Sequence, residues 1–517
     1  MILLIVVIPM LFALFITLCT YLGINNKYQK GIFLIGLFSP WTVFLYYLNK
    51  IDIHMISGGW ERISGIEVVL DSYNFYMILG GLLLFSFGGI YIIKYFDIDK
   101  ENRDIDPAKS IYPLVLILQG SILGTFLSRD IFNFFVFMEI SSIASVILVA
   151  CSSEKGAKIA SFRYLMMYFL STFFFVFSIG LIYVKTGYLN YYLISQNVEA
   201  IREVKVAILL AVLALMLKAG IFPLYFWLPE AYSKADDPIT SMIAGMGGKA
   251  QLFGMILIML FLPLHLVSEP LMVLALSSML FGAVLALFQT DIKKIFAYSS
   301  MSQMGYILLA ISLIEGMIAV YHSFVHALSI GGMFLLAGIL IKSAKSKYIK
   351  DLTYRNKPLV MISCLFLSFS LIGVYPFMMS YSKQQLVGNL SGYWKWIFYS
   401  VSVGTVMVYA RLNYYLLKKG KDEHGYKLSG MKILPPIVFA VIMLIGGLYL
   451  APKFVISDFL TLFVGVALFL VLNYIGLFKL RIPEPFSHDQ EGLAKEINYY
   501  TMAFVTVLVI MLFYILY

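Results

Sequence analysis

Six ionisable side chains stand where an apolar chain can least accommodate them: Glu139, Lys218, Lys249, His322, His326 and Lys383. Glu139 sits in FNFFVFMEISSIASVILVA, Lys218 in LLAVLALMLKAGIFPLYFWLP and Lys249 in ITSMIAGMGGKAQLFGMILIML. The two histidines sit in YHSFVHALSIGGMF and Lys383 in YPFMMSYSKQQL. An unpaired lysine at the centre of a membrane helix costs roughly 2.5–3.5 kcal/mol on the insertion scale, so such residues turn toward partners or a wet interior. A carboxylate and an ammonium each lower the other's cost in a low dielectric, which makes Lys218 the natural partner of Glu139. Spaced by four, His322 and His326 share one helix face, and imidazole titrates near neutral pH. The set contains no nucleophile–base pair and no metal-ligand cluster. A row of titratable groups in a membrane moves charge; it does not cut bonds.

Each of these residues also has a structural reading. Lys383, close to a span end, can carry its head to the surface. The histidines can be hydrogen-bonded core residues, and Glu139 with Lys218 an inert ion pair. Lys249, central and without a local partner in sequence, fits a structural role least. GMGGK superficially resembles a phosphate loop, but Ile243 replaces the first glycine and Ala250 the Ser/Thr, and the segment is lipid-buried.

The elements that must position these groups follow from composition. Of 517 residues, 61% are hydrophobic and only 13% charged, with a mean hydropathy of +0.89. A soluble protein cannot bury that much apolar surface, so the expected fold is an all-α polytopic membrane protein of about 14–16 transmembrane helices. Approximately sixteen spans, each about 20 residues, can be marked. The opening ILLIVVIPMLFALFITL reads as the first of them, not as a signal peptide. Residues 49–71 are too polar to span and read as a short extramembrane hairpin. The net charge of +10 comes mostly from lysines in short loops, a topology signal and not a nucleic-acid groove. Lys100, Arg103, Lys155, Lys158, Lys293, Lys294 and the 342–357 and 418–432 loops, Lys427 among them, fall on one side. They predict a multi-pass protein of the cell membrane with its N-terminus outside. Three single cysteines exclude an iron–sulfur or zinc site built from this chain alone.

Two words recur. Gly220-Ile-Phe-Pro223 returns as Gly373-Val-Tyr-Pro376, 153 residues on, and Asp130-Ile as Asp291-Ile, 161 residues on. Five spans separate each pair, an odd number, so the halves are expected to be inverted repeats, each with a helix broken at its proline. In lipid a broken backbone survives only against protein or a wet cavity. The predicted organisation is N-terminal helices with the hairpin over 1–107, a first repeat over 108–261, a second over 266–418, and C-terminal helices over 431–517.

KAGIFPLYFWLPEAY and DIKKIFAYSSMSQMGYI resemble the antiporter-like subunits shared by respiratory complex I, Mrp-type Na+/H+ antiporters and energy-converting membrane-bound hydrogenases. The similarity covers roughly residues 70–450. It implies fourteen core helices with the seventh and twelfth broken. It also implies an ion-translocation relay: Glu139 and Lys218 as the coupled pair, Lys249 as the connecting lysine, His322 and His326 as the bridge, and Lys383 as the terminal lysine. It further implies partner membrane subunits, H+ and possibly Na+ as cargo, and iron–sulfur or metal centres only in those partners. The chain would then be a non-redox subunit of an ion-translocating oxidoreductase.

Three positions depart from the family's pattern. Ile330 stands where a relay lysine is common, Tyr225 where a histidine is common, and Asp236-Asp237 where Ala-Pro is usual. The competing readings are a component of an Mrp antiporter, a standalone solute transporter, and a structural subunit whose proton path has decayed. The spans at 454–517, joined by LRIPEPFSHDQEGLAKEI, are similar to the C-terminal extension of some members, with a joint too short for a long lateral helix.

Overall fold

The computed structural model describes residues 1–50, 52–98, 107–197, 202–261, 267–421, 428–450, 454–480 and 490–516. The topology charges Lys100, Arg103 and Lys427 and most of the joint after residue 480 lie outside the described residues. In chain order the helices are α1 (Leu4–Tyr21), α2 (Asn26–Tyr47), α3 (Ser72–Ile98), α4 (Pro107–Leu127), α5 (Ile131–Ala150), α6 (Ala157–Thr186), α7 (Tyr191–Ser195), α8 (Arg202–Ala219), α9 (Trp227–Lys234) and α10 (Asp237–Met242). A π-turn (Ile243–Gly247) leads into α11 (Gly248–Phe261). Then follow α12 (Ser268–Phe288), α13 (Ile292–Ser312), α14 (Gly316–Ala344), α15 (Pro358–Ile372), α16 (Met378–Asn389), α17 (Tyr393–Leu417), α18 (Gly430–Leu450), α19 (Ile456–Tyr474) and α20 (Gln490–Leu516).

Thirteen helical stretches among the described residues are long and apolar enough to cross a membrane. The two broken spans, α8/α9 and α15/α16, and the 25-residue α17 complete the expected sixteen crossings. The chain is an all-α multi-pass membrane protein. Helices that are apolar on every side, like these, are buried in protein, in lipid, or in both. The most hydropathic windows of α13 and α14 are 94% buried inside the protein, whereas that of α19 is 11% buried and meets lipid. The polar serines, histidines and lysines therefore concentrate on the central helices, where neighbours can bond them.

The recurring words have matching backbone geometry. Asp130 caps α5 by accepting from the amides of Phe132 and Asn133, and Asp291 caps α13 through Lys293. Each capping residue makes one antiparallel bridge to a later loop, Asp130 to Asn190 and Asp291 to Tyr348. The bonds correspond: Ile131 N to Leu189 O with Tyr191 N to Arg129 O, and Ile292 N to Lys347 O with Ile349 N to Thr290 O. At the breaks, Gly220 and Gly373 adopt φ of 68° and 84°. That left-handed region costs a residue with a Cβ roughly 1–2 kcal/mol. Ile221 N then reaches back to Met216 O, as Val374 N does to Phe369 O. The two halves thus share the same cap, bridge and break.

The polar 49–71 stretch forms the expected hairpin, β1 (Ile53–Ile56) antiparallel to β2 (Glu67–Leu70). It is more than a surface loop, because β2 is fully buried and bridges Val68 to Ser128. Glu67 accepts from Asn190 Nδ2 at 2.7 Å and from Arg62 at 2.8 Å, and meets His54 at 3.0 Å. Burial pushes the Glu67 carboxyl up, but the Asn190 amide, His54 and Arg62 together outweigh it and hold it below its ordinary 4.5. Beside the Asp291–Tyr348 bridge, Lys347 pairs with Glu154 at 3.3 Å and Asp291 at 3.4 Å.

Two topology lysines are not solvated loop charges. Lys293 is buried and paired with Asp237 at 2.9 Å, and Lys294 pairs with Glu230 at 2.8 Å. They tie the start of α13 to α9, the end of the broken seventh span, and to the start of α10.

Candidate functional site

The break at Gly220 places Lys218 in the last turn of α8, where the partial negative charge of the helix end favours a cation. Its ammonium bonds the Glu139 carboxylate and lies 3.4 Å from Ser142 Oγ, over the Tyr168 ring at 5.1 Å. Thr172 Oγ1 donates to the same Glu139 oxygen at 2.8 Å. Lys218 is fully buried and the Glu139 side chain 21% exposed, so the pair sits at the edge of the protein with its acid outermost. The carbonyl of Leu217, freed by the break, accepts from Trp227 Nε1 at 3.1 Å. The indole stacks on Tyr164 at 4.6 Å, fixing the two half-helices to each other.

Lys249 is fully buried just after the π-turn. Widening of the helix there leaves carbonyls without their i+4 donor, and Lys249 Nζ donates to Ala244 O at 2.5 Å. The lysine thus has a local partner after all, and that partner is backbone. Helix α11 packs on both α8 and α14.

Although the two histidines share a helix face, their surroundings differ. His322 Nδ1 is 2.9 Å from Ser382 Oγ and Nε2 is 3.2 Å from Gln303 Oε1, with the ring stacked on Tyr306 at 5.5 Å. His326 is fully buried with neither ring nitrogen bonded among the described residues. Lys383 does not reach for the surface. Its Nζ turns back to the carbonyls of Leu371 at 3.2 Å and Ile372 at 2.7 Å, freed by the second break, and lies 4.4 Å over the Tyr306 ring. His322 and Lys383 therefore flank one aromatic ring.

Of the six predicted residues, Glu139 and Lys218 meet directly and His322 and Lys383 meet through the Tyr306 ring, while Lys249 and His326 are buried on neighbouring helices. Sequence reading missed the polar residues between them, Ser142, Thr172, Gln303 and Ser382. Their signal in sequence was weak, because each stands beside another polar residue: Ser142 next to Ser141, Thr172 next to Ser171, Gln303 next to Ser302 and Ser382 next to Lys383. Ile330 is fully buried, and Ser329 beside it bonds Ser370 at 3.1 Å. Tyr225 stacks on Phe226 at 4.3 Å. Asp236 accepts from Tyr95 at 3.1 Å and Ser153 at 3.1 Å. Among the described residues, no group of three or more His, Cys, Asp or Glu is placed to hold a metal ion.

A sequence profile described as NADH:quinone oxidoreductase/Mrp antiporter, TM, matches residues 128–408. The chain belongs to that family. It is 30% identical over 379 residues to the N subunit of NADH-quinone oxidoreductase from Desulforudis audaxviator, covering 70% of this chain and 72% of that one. It is 26% identical over 430 residues to the D subunit of the Na(+)/H(+) antiporter from Alkalihalophilus pseudofirmus, covering 79% and 85%. Its fold matches a chain of the membrane-bound sulfane sulfur reductase, an archaeal respiratory membrane complex, with a TM-score of 0.79 at 24% identity over 90% of this chain and 98% of that one. As an antiporter-like membrane protein of this family, it carries all six row residues inside the matched segment.

Proposed function

We propose that this chain translocates protons, with or without sodium, as the antiporter-like subunit of a complex I-like membrane assembly. One observation carries the reading: the buried row Glu139–Lys218, Lys249, His326 and His322, Lys383 passes through both halves of the chain and both helix breaks. Titratable groups inside a membrane at breaks in two helices are arranged as in ion carriers. Separating Glu139 from Lys218 weakens the lysine's hold on its proton, which passes to Lys249. From there it moves by His326 and His322 to Lys383. Ser382 and Gln303, bonded to His322, make this route independent of a lysine at position 330.

The similarity to respiratory and antiporter subunits supports partner membrane subunits, with any redox centres held by them. The matching caps, bridges and breaks support the division into repeats at 108–261 and 266–418. The lysine-rich face opposite the hairpin supports insertion in the cell membrane with the N-terminus outside. A multisubunit Na+/H+ antiporter is the second reading, favoured by the match to the Alkalihalophilus antiporter protein.

Ion flux by the native complex in sealed vesicles tests the proposal, with wild type compared to Lys218→Ala and Lys249→Ala and assembly checked on a native gel. Loss of flux in both assembled variants is expected. Unchanged flux in both makes the row structural and the chain no more than a scaffold. Following H+ and Na+ separately distinguishes the two readings.

A further inference from the structure

The second half lacks an acid where the first half has one. At the place corresponding to Glu139, 161 residues on, stands Ser300, buried with its hydroxyl unbonded among the described residues. Lys383 has no carboxylate within ion-pair distance among the described residues and bonds two carbonyls instead. Yet a carboxylate faces it from outside the repeats. Asp458, in the first turn of α19, lines the same cavity of about 30 Å³ as Lys383, with Tyr399, Ser402 and Thr461. A space of that size admits a water, and the two charged side chains face it together.

We propose that Asp458 is the carboxylate partner of Lys383, so that α19 gives the second half the acid–lysine pair that Glu139 and Lys218 form in the first. Asp458 is the only charged residue in α19, the helix most exposed to lipid. Gln384, adjacent to Lys383, holds it through a 2.8 Å bond to Oδ2. The register of α19 is fixed by packing on α17. A Cβ on Gly465 would lie 2.6 Å from Val406 Cβ, Phe469 is buried against Tyr414, and Tyr399 bonds Ser457 at 3.1 Å. Helix α19 lies beyond the family match at residues 128–408. Asp458 is itself only partly buried. An acid there stabilises the charged lysine until a proton is ready to leave.

The inference rests on the ion-translocation reading, and the test separates the two. In vesicles holding the native complex, the pH profile of transport is compared for wild type, Asp458→Asn, Asp458→Glu and Lys218→Ala. The other titratable groups facing Lys383 are Tyr306 on α13, His322 on α14 and Tyr399 on α17, all present in every variant. With the acid neutralised, Lys383 gives up its proton more readily, so the alkaline limb of the profile should move down by about one pH unit. Asp458→Glu should keep the wild-type limb. Should Asp458→Asn not assemble, Asp458→Ser removes the charge while keeping an acceptor for Gln384, and the same shift is read from it. An unmoved limb in the neutral variant, with transport abolished in Lys218→Ala, reduces Asp458 to a helix-end acid and overturns the inference alone. Full transport in Lys218→Ala overturns the translocation reading, and this inference with it.

Discussion

At the residue scale, the question is whether buried charges do more than hold the bundle together. Removing one partner of a buried ion pair leaves the other unpaired, at a cost of about 3–5 kcal/mol. Glu139→Gln should therefore lower the melting temperature of the complex as well as abolish flux, because Lys218 then has only Ser142 and Tyr168 for company. The double variant Glu139→Gln/Lys218→Met should regain much of that melting temperature and none of the flux. If the double variant melts as low as the single one, the pair is not the source of the instability. His326 allows the opposite dissociation. Its ring nitrogens are unbonded among the described residues, and replacing an unsatisfied buried polar group by an apolar one is near neutral or stabilising. His326→Leu should keep or raise the melting temperature while flux falls. Undiminished flux in His326→Leu would remove the histidine from the relay.

At the element scale, the two breaks decide where lysines and free carbonyls meet. Gly220 is both left-handed and crowded: a Cβ there would meet Leu228 Cδ1 at 2.5 Å. Gly187 is equally left-handed, with nothing within 4 Å of its would-be Cβ. Gly187→Ala should cost only the roughly 1–2 kcal/mol of the backbone. Gly220→Ala should cost more and should also disturb Lys218, and thermal melts of the two purified complexes compare them directly. The breaks were legible because Gly-x-aromatic-Pro inside an apolar run has few other uses. The π-turn was not. Its residues, IAGMG, carry no helix breaker other than glycine, and the widening is decided by how α10 and α11 fit against α14.

At the scale of the whole molecule, the hairpin clamps one face, joining β2 to Ser128 and Asn190. Glu67, held below its ordinary 4.5, stabilises the fold while ionised. Its full contribution is present above pH 4.5 and is lost as the pH falls through the lower, folded value. Hydrogen exchange over residues 53–70 should therefore stay slow from pH 7 down to about 4.5 and accelerate only below it. In Glu67→Gln the same amides should exchange faster at pH 7, with no further step on acidification. Acceleration of the wild type well above pH 4.5 would show that Glu67 is not the anchor. Sequence reading placed this hairpin but not its packing, since nothing in 49–71 names Asn190 as its partner.

By itself the sequence determined the membrane-spanning class, the sixteen crossings, the two breaks and the six titratable residues, because each is a local conflict. A lysine or a proline in an apolar run is costly wherever that run ends up, so it can be read without knowing the neighbours. Tertiary structure decided what each conflict is resolved against: Glu139 for Lys218, a π-turn carbonyl for Lys249, Ser382 and Gln303 for His322, and the Leu371 and Ile372 carbonyls for Lys383. It also decided that Lys293 is buried against Asp237, and that an acid on α19 faces the cavity at Lys383. These are contacts between residues as many as 79 positions apart, as for Glu139 and Lys218. Electrostatic partners are fixed by distance in space, and chain spacing carries that information only within one helix.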